Sequence, residues 1–326
     1  RGARRALARA SGALRTDAVV GGLFPDPDPP GDVPQVICAG HVNWDVTLFV
    51  DCLPGADEEA VVDERAAAGG GSAANVATAL AGLDVDPVLL GSVGPDAPGR
   101  QAREELAGAG VDTDFVTETG EGPTTVKYLL VDEDGDVAVL ANEGVNEAIA
   151  AEDLPTEALE GADHLHLASQ RPATAARLAA RAGEAGLGVS IDPGRRLEER
   201  DFADAVAGAD YLFLNDLEAT TAEEAGLFAS EPEGLTVAET MGAGGAAVRT
   251  AGRTITHPGF AVESVDTTGA GDAFAAGFLA TVLDGEDVER ALAVGNACGA
   301  LAATRVGART TLCEDDIEAV LDDDSA

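Results

Sequence analysis

The segment Val265-Asp266-Thr267-Thr268-Gly269-Ala270-Gly271-Asp272-Ala273-Phe274 carries the densest chemistry in the chain. A Gly-Ala-Gly turn opening a helix aims successive backbone N–H groups at one point, where the helix dipole reinforces them. Such an arrangement is an anion hole for phosphoryl oxygens. Asp272 falls where a carboxylate faces the same point and can take a proton from an attacking hydroxyl. A plain helix N-cap is the competing reading, because Asp suits that position. In Asn215-Asp-Leu-Glu218 one helical turn separates amide from carboxylate, so both can face one site, with a solvated helix start as the alternative. Two other phosphate-binding designs are excluded. The sole lysine, in Thr125-Val-Lys127-Tyr128, has no P-loop glycines around it. Gly242-Ala-Gly-Gly-Ala-Ala247 satisfies a dinucleotide fingerprint, yet Val248-Arg-Thr-Ala-Gly252 then has the texture of a strand and turn where that fold needs a helix.

These residues need a scaffold, and the hydrophobic pattern supplies one. Residues 35–39 read as a short buried strand, and 46–50 and 60–64 as exposed strands that end at Gly69-Gly70-Gly71. Residues 72–83 have the small-residue texture of a tightly packed helix; 88–93 form the next buried strand and 98–110 a helix. Strands at 124–131 and 137–140 flank Asp132-Glu-Asp-Gly135, a hairpin signal. From residue 164 strands (164–168, 189–192, 211–214) alternate with helices (173–185, 202–207, 218–225). That rhythm predicts βαβ units and a mostly parallel sheet with helices on both faces. The two early strand pairs break it and predict a small projecting sheet, with ligands at the carboxyl ends of the main strands.

Composition narrows the partners. The 326 residues carry 59 acidic against 20 basic side chains, for a formal charge of −39. Such a surface repels polyphosphate backbones, so no nucleic-acid partner is expected. The absence of a long apolar run leaves no membrane span. Nineteen arginines to one lysine, amid so many carboxylates, is the composition of an extreme halophile, so the acidity reflects habitat more than substrate. Cys38, Cys52, Cys298 and Cys313 are scattered and form no C-x-x-C; reduced, largely buried thiols in a cytoplasmic protein are expected. Residues 1–15 hold five arginines and no acid, and a Pro-rich spacer follows at 24–30. Residues 1–34 therefore read as an extension, either frayed or a targeting or partner-binding arm, and 35–326 as the folded domain.

Gly69-Gly70-Gly71-Ser72-Ala73-Ala74-Asn75-Val76-Ala77, continued by Leu90-Gly91-Ser92-Val93-Gly94-Pro95-Asp96 and Gly99, resembles the first signature of the ribokinase-like (PfkB) carbohydrate kinases. Residues 266–279 resemble the second, in the expected order and distance. The resemblance implies a ribokinase-like three-layer α/β/α fold, with a mostly parallel central sheet and a small projecting β-sheet lid from about 46–64 and 124–140. It implies ATP-dependent phosphorylation of a hydroxyl on a small sugar, ribose or a related carbohydrate. In that family the position of Asp272 is the catalytic base, and Gly269, Ala270 and Gly271 form the anion hole. Asn43 and Asp45 match residues that bind sugar hydroxyls, Gly70 and Gly71 match the lid hinge, and Asn75 matches a substrate contact. Asn215 and Glu218 match an N-x-x-E whose glutamate organises Mg²⁺ through water; Thr240, Gly242 and Gly245 match the ATP-lining stretch, and Asn296 falls near adenine. Asp266 and Thr268 match positions that hold a monovalent cation, K⁺, helped by carbonyls around Gly307.

The chain departs from its relatives at Asp192-Pro-Gly-Arg195, where two branches carry D-P-N-x-R, so Gly194 lacks a polar contact. Asn146 lies in a stretch resembling a substrate-adjacent loop, and the βα pattern places His166 and Arg171 around the cleft, with a satisfied core or helix-start role as the alternative for each. A nucleoside or a sugar phosphate is the alternative acceptor, the latter requiring a cationic pocket from arginines such as Arg171 or Arg195. A non-catalytic sugar or nucleotide sensor is a further alternative, opposed by the intact Asp272 and its turn. Projecting sheet edges invite a homodimer through the lid.

Overall fold

The computed structural model describes residues 33–142, 144–227, 234–250 and 252–323; the expected Arg-rich and Pro-rich segments lie outside them. Strand β1 (Gln35–Gly40) is apolar and buried through Cys38 and Ala39, because it has a parallel neighbour on each side. Those neighbours are β4 (Asp86–Val93) and β8 (His164–Ala168), and β9 (Gly188–Asp192), β10 (Tyr211–Asn215) and β11 (Thr236–Thr240) continue the parallel run. The nine-stranded order is β13-β12-β11-β10-β9-β8-β1-β4-β5, with β5 (Val116–Glu118) at one edge. Strands β12 (Ala246–Thr250) and β13 (Arg253–His257) close the other edge antiparallel.

Helices cover both faces, giving the three-layer α/β/α architecture. One face packs α1 (Ser72–Leu80), α7 (Ala270–Leu283) and α8 (Val288–Ala303) over Cys38, Leu89 and Phe213. The other packs α4 (Pro172–Ala185), α5 (Ala203–Val206) and α6 (Asp216–Glu224) over Ile37, Leu165 and Leu212. Between these in the chain lie α2 (Ala97–Gly108) and α3 (Thr156–Leu159), and α9 (Glu314–Asp323) follows them. Helix α7 is apolar nearly all round and buried from Ala273 to Leu279. Its small residues, with Gly277 facing Cys298, let α8 lie close, while Phe274 and Phe278 pack edge-on against Phe213 of β10. Burying each such phenyl ring contributes roughly 1.5–3 kcal/mol, which anchors the start of α7 against the sheet.

A separate four-stranded sheet has the order β3-β2-β6-β7, from β2 (Asn43–Val50), β3 (Val62–Gly70), β6 (Thr125–Val131) and β7 (Val137–Ala141). The strand expected over 60–64 begins at Val62 and continues to Gly70. Ala66, Ala67 and Ala68 favour strands weakly, but antiparallel pairing with β2 carries them. The two early strand pairs are thus one sheet, joined by a parallel β2–β6 contact from Asn43↔Thr125 to Phe49↔Val131. The helix expected over 72–83 ends at Leu80. Among the cysteines only Cys38 and Cys298 are buried; Cys52 and Cys313 are exposed, because they sit in surface loops. No helix among the described residues is long and apolar enough to cross a membrane.

Candidate active site

The site forms where α7 starts. Gly269 is its N-cap at φ 79°, and a Cβ there would lie 2.2 Å from the Ala308 carbonyl oxygen, so both conformation and space demand glycine. The Ala270 N–H donates to the Thr267 carbonyl at 3.2 Å, whereas the Gly271 and Asp272 amides make no backbone hydrogen bond. The open donors of the turn therefore include Asp272 and exclude Ala270. Asp272 is no cap either: its Oδ2 accepts from Asn75 Nδ2 at 2.7 Å, tying α7 to α1. Burial pushes the Asp272 carboxyl up to about 7; the Asn75 hydrogen bond and the Lys127 ammonium pull it down, and Glu218 adds to the rise. A carboxyl tuned near neutrality suits a general base.

A second group lines up beside it. Asn43, at the start of β2, is buried and its Oδ1 accepts from Asn146 Nδ2. Asp45 follows on the same strand, opposite Lys127 of β6. Burial raises the Asp45 carboxyl, while Lys127 and Arg309 lower it. Gly70 closes on it: a Cβ at that position would fall 2.2 Å from Asp45 Oδ2, so only glycine leaves the carboxylate its place. Gly71 then caps α1. Asp45 Oδ1, Asn75 Oδ1, Asn146 Oδ1 and both amide atoms of Gln170 are buried without hydrogen-bond partners. Orphaned polar atoms are costly in a core. Converging carboxylate and amide oxygens match a ligand rich in hydroxyls.

The third group sits at the carboxyl ends of β10 and β11. Asn215 and Thr240 are register partners across those strands. Asn215 and Glu218 form a reciprocal capping box: Asn215 Oδ1 accepts from the Glu218 N–H at 2.8 Å and Glu218 Oε2 from the Asn215 N–H at 3.0 Å. Gly242 and Gly245 bracket the turn after β11, and Gly245 lies against Gly259, beside Asn296 of α8. Asn296 Nδ2 donates to the Leu292 carbonyl at 2.8 Å. Asp266 Oδ1 accepts from the Thr268 N–H and Oδ2 from the Gly307 N–H, both at 2.9 Å, so it clamps two loops together.

Sequence reasoning passed over four residues here. Lys127 lowers Asp45, Asp272 and His41, and so faces all three. The signal was its being the one lysine of the chain. Asp192, at the end of β9, is raised by burial and by repulsion from Glu218 and Asp272. Gln170 had no motif to mark it. Arg309 is nearly buried and donates to the Gly70 carbonyl and Glu105 Oε1, each at 3.1 Å. Of the two readings of His166 the core one holds: it does not reach the cleft. It points into the core, 2.8 Å from Ser190 Oγ and edge-on to Phe213, and burial lowers it to about 3. The alternation of β8 sends that side chain inward.

The whole assembly sits at the carboxyl edge of the parallel strands. Over 289 residues the chain is 55% identical to the ATP-dependent ribose-1-phosphate kinase of Halopiger xanaduensis, covering 88% of this chain and 98% of that one. The ribokinase of Bacillus subtilis is 30% identical over 84% of this chain and 94% of its own. The structure of Arabidopsis thaliana ribokinase complexed with ribose and ATP superposes with a TM-score of 0.77 at 23% identity, over 88% of this chain and 98% of that one. Residues 33–315 match the pfkB family carbohydrate kinases, so the chain belongs to that family and is an ATP-dependent sugar kinase.

Proposed function

We propose that the acceptor is ribose 1-phosphate or a closely related pentose 1-phosphate, and that the chain converts it to a bisphosphate with ATP. The observation carrying this reading is the 55% identity, over nearly the full length, to a ribose-1-phosphate kinase. It prefers the sugar-phosphate alternative over free ribose.

In the proposed mechanism Asn43, Asp45 and Asn75 orient the acceptor hydroxyls. Asp272 removes the proton of the attacking hydroxyl. The open amides of Gly271 and Asp272 hold the transferring phosphoryl group, and Lys127 adds a positive charge beside both carboxylates. The strands at 46–64 and 124–140 act as a lid that swings on Gly70 and Gly71 and excludes water. Asn215, Thr240, Gly242, Gly245 and Asn296 serve the nucleotide. Mg²⁺ fits beside Glu218, because Glu218 raises the carboxyls of both Asp192 and Asp272 and a dication relieves that repulsion. No cluster of three such side chains close enough to ligate directly exists among the described residues, which favours contact through water. Bound there, it would neutralise charge on the nucleotide phosphates. For K⁺, Asp266 and Thr268 with backbone carbonyls near Gly307 would be the ligands; each Asp266 oxygen accepts one N–H and keeps a lone pair for the ion.

A coupled ADP-release assay in molar KCl, over ribose 1-phosphate, ribose 5-phosphate, ribose, hexoses and nucleosides, tests the acceptor. The highest kcat/KM should belong to ribose 1-phosphate; a free sugar or nucleoside ranking above it overturns the reading. The same proposal includes a cytoplasmic setting and a homodimer through the second sheet, whose Tyr128, Val139 and Leu140 are exposed. A sedimentation mass near the 32.7 kDa of one chain would dispose of the dimer.

A further inference from the structure

In a chain with a net charge of −39, three arginines converge on one carboxylate. Glu147 accepts from Arg171 Nε at 3.1 Å, from Arg196 Nη1 at 3.5 Å, and from Arg200 Nη1 and Nη2 at 2.6 and 3.3 Å. His41 Nε2 stands 3.8 Å from the same carboxylate, buried and without a hydrogen-bond partner. By contrast Arg253 is paired with Glu289 and Arg290 with Glu318. Three guanidiniums outnumber the one carboxylate they share. Each guanidinium carries five N–H donors, and Glu147 engages only one of Arg171 and one of Arg196. Those two side chains stay 62% and 47% exposed, so their remaining donors are open.

The cluster borders the acceptor pocket. Glu147 directly follows Asn146, whose amide bonds Asn43, and His41 lies two residues before Asn43. Arg171 follows the orphaned, buried Gln170 at the end of β8, and Arg196 and Arg200 follow the end of β9. All lie at the carboxyl edge of neighbouring strands.

We propose that Arg171, Arg196 and Arg200, held in place by Glu147, form the subsite for the phosphate monoester of the acceptor, with His41 and Gln170 at its wall. The sugar then lies between two anion sites, its ester at the arginines and its reacting hydroxyl at Asp272. Glu147 is a positioning residue that fixes the guanidiniums without filling their donor capacity. This inference rests on the sugar-phosphate reading above.

Steady-state kinetics of the full chain, with Arg171→Ala, Arg196→Ala and the double variant, test it. Each loss of a charge-assisted contact should raise KM for ribose 1-phosphate about tenfold or more. KM for ATP should stay within about twofold, and melting temperatures should hold. Calorimetric binding of inorganic phosphate should weaken in parallel. An unchanged KM for ribose 1-phosphate, or equal rises for both substrates with a fall in melting temperature, would reduce the cluster to a structural hub. Should the wild-type protein fail to phosphorylate ribose 1-phosphate, the acceptor reading falls; the calorimetry then decides alone, and equal phosphate binding by wild type and the double variant overturns the subsite.

Discussion

Asp272 is half-buried, with its carboxyl drawn out of water, and is bonded to Asn75; the two facts act in opposite directions on its proton. Burial wins, which puts the base where it is half-ionised near neutral pH. The kcat/KM profile should accordingly fall about tenfold per unit below about pH 7, because protonation removes the base. Lys127 favours the ionised form, so Lys127→Ala should move that acid limb to higher pH; an unmoved limb in a pH-rate series would separate the lysine from the base. Asp272→Asn should bind ATP and sugar phosphate by calorimetry yet lose roughly 10²–10⁴ in turnover. Asp272 and Asn75 were legible in the sequence because each sits in a signature of fixed spacing, and Asn43 and Asp45 because they follow directly on the first strand. Gln170 and Arg309 were not: their surroundings arise from burial and from neighbours distant in the chain, which no local pattern records, and the motif at Asp192-Pro-Gly-Arg195 did not reveal the carboxylates that face Asp192.

At the scale of elements, the start of α7 is fixed by three contacts: the Gly269 turn against Ala308, the Asn75–Asp272 bond to α1, and phenyl packing on β10. Gly269→Ala sets a Cβ against a carbonyl in a left-handed conformation and should cost about 1–3 kcal/mol in chemical denaturation, with turnover falling further than stability. The parallel strands and their helices were readable because apolar runs and turn residues alternate in order. Strand β3 was read short because alanines and glycines leave no periodic signal; its pairing with β2, a tertiary fact, extends it to Gly70. The reciprocal bonds of Asn215 and Glu218 likewise turn an apparent pair of ligands into a helix cap with one carboxylate oxygen left over.

For the molecule as a whole, 59 acidic side chains repel one another wherever counterions are scarce. Raising KCl from about 0.1 to about 2 M shortens the screening length severalfold and should lift the melting temperature by about 5 °C or more. A flat melting profile across that range would remove self-repulsion as a significant term.

Only His41 and Val42 separate β1 from β2, whereas Lys127 arrives on β6 from a distant stretch of chain. Both strands belong to the second sheet, whereas Asn75 and Asp272 sit on helices packed against the first, so the proposed handholds for the sugar straddle the seam between the two. A ligand gripping Asn43 and Lys127 on one side and Asn75 on the other works as a stitch across it. Hydrogen exchange in β6 and β7 should slow when the acceptor alone is added, before any nucleotide arrives.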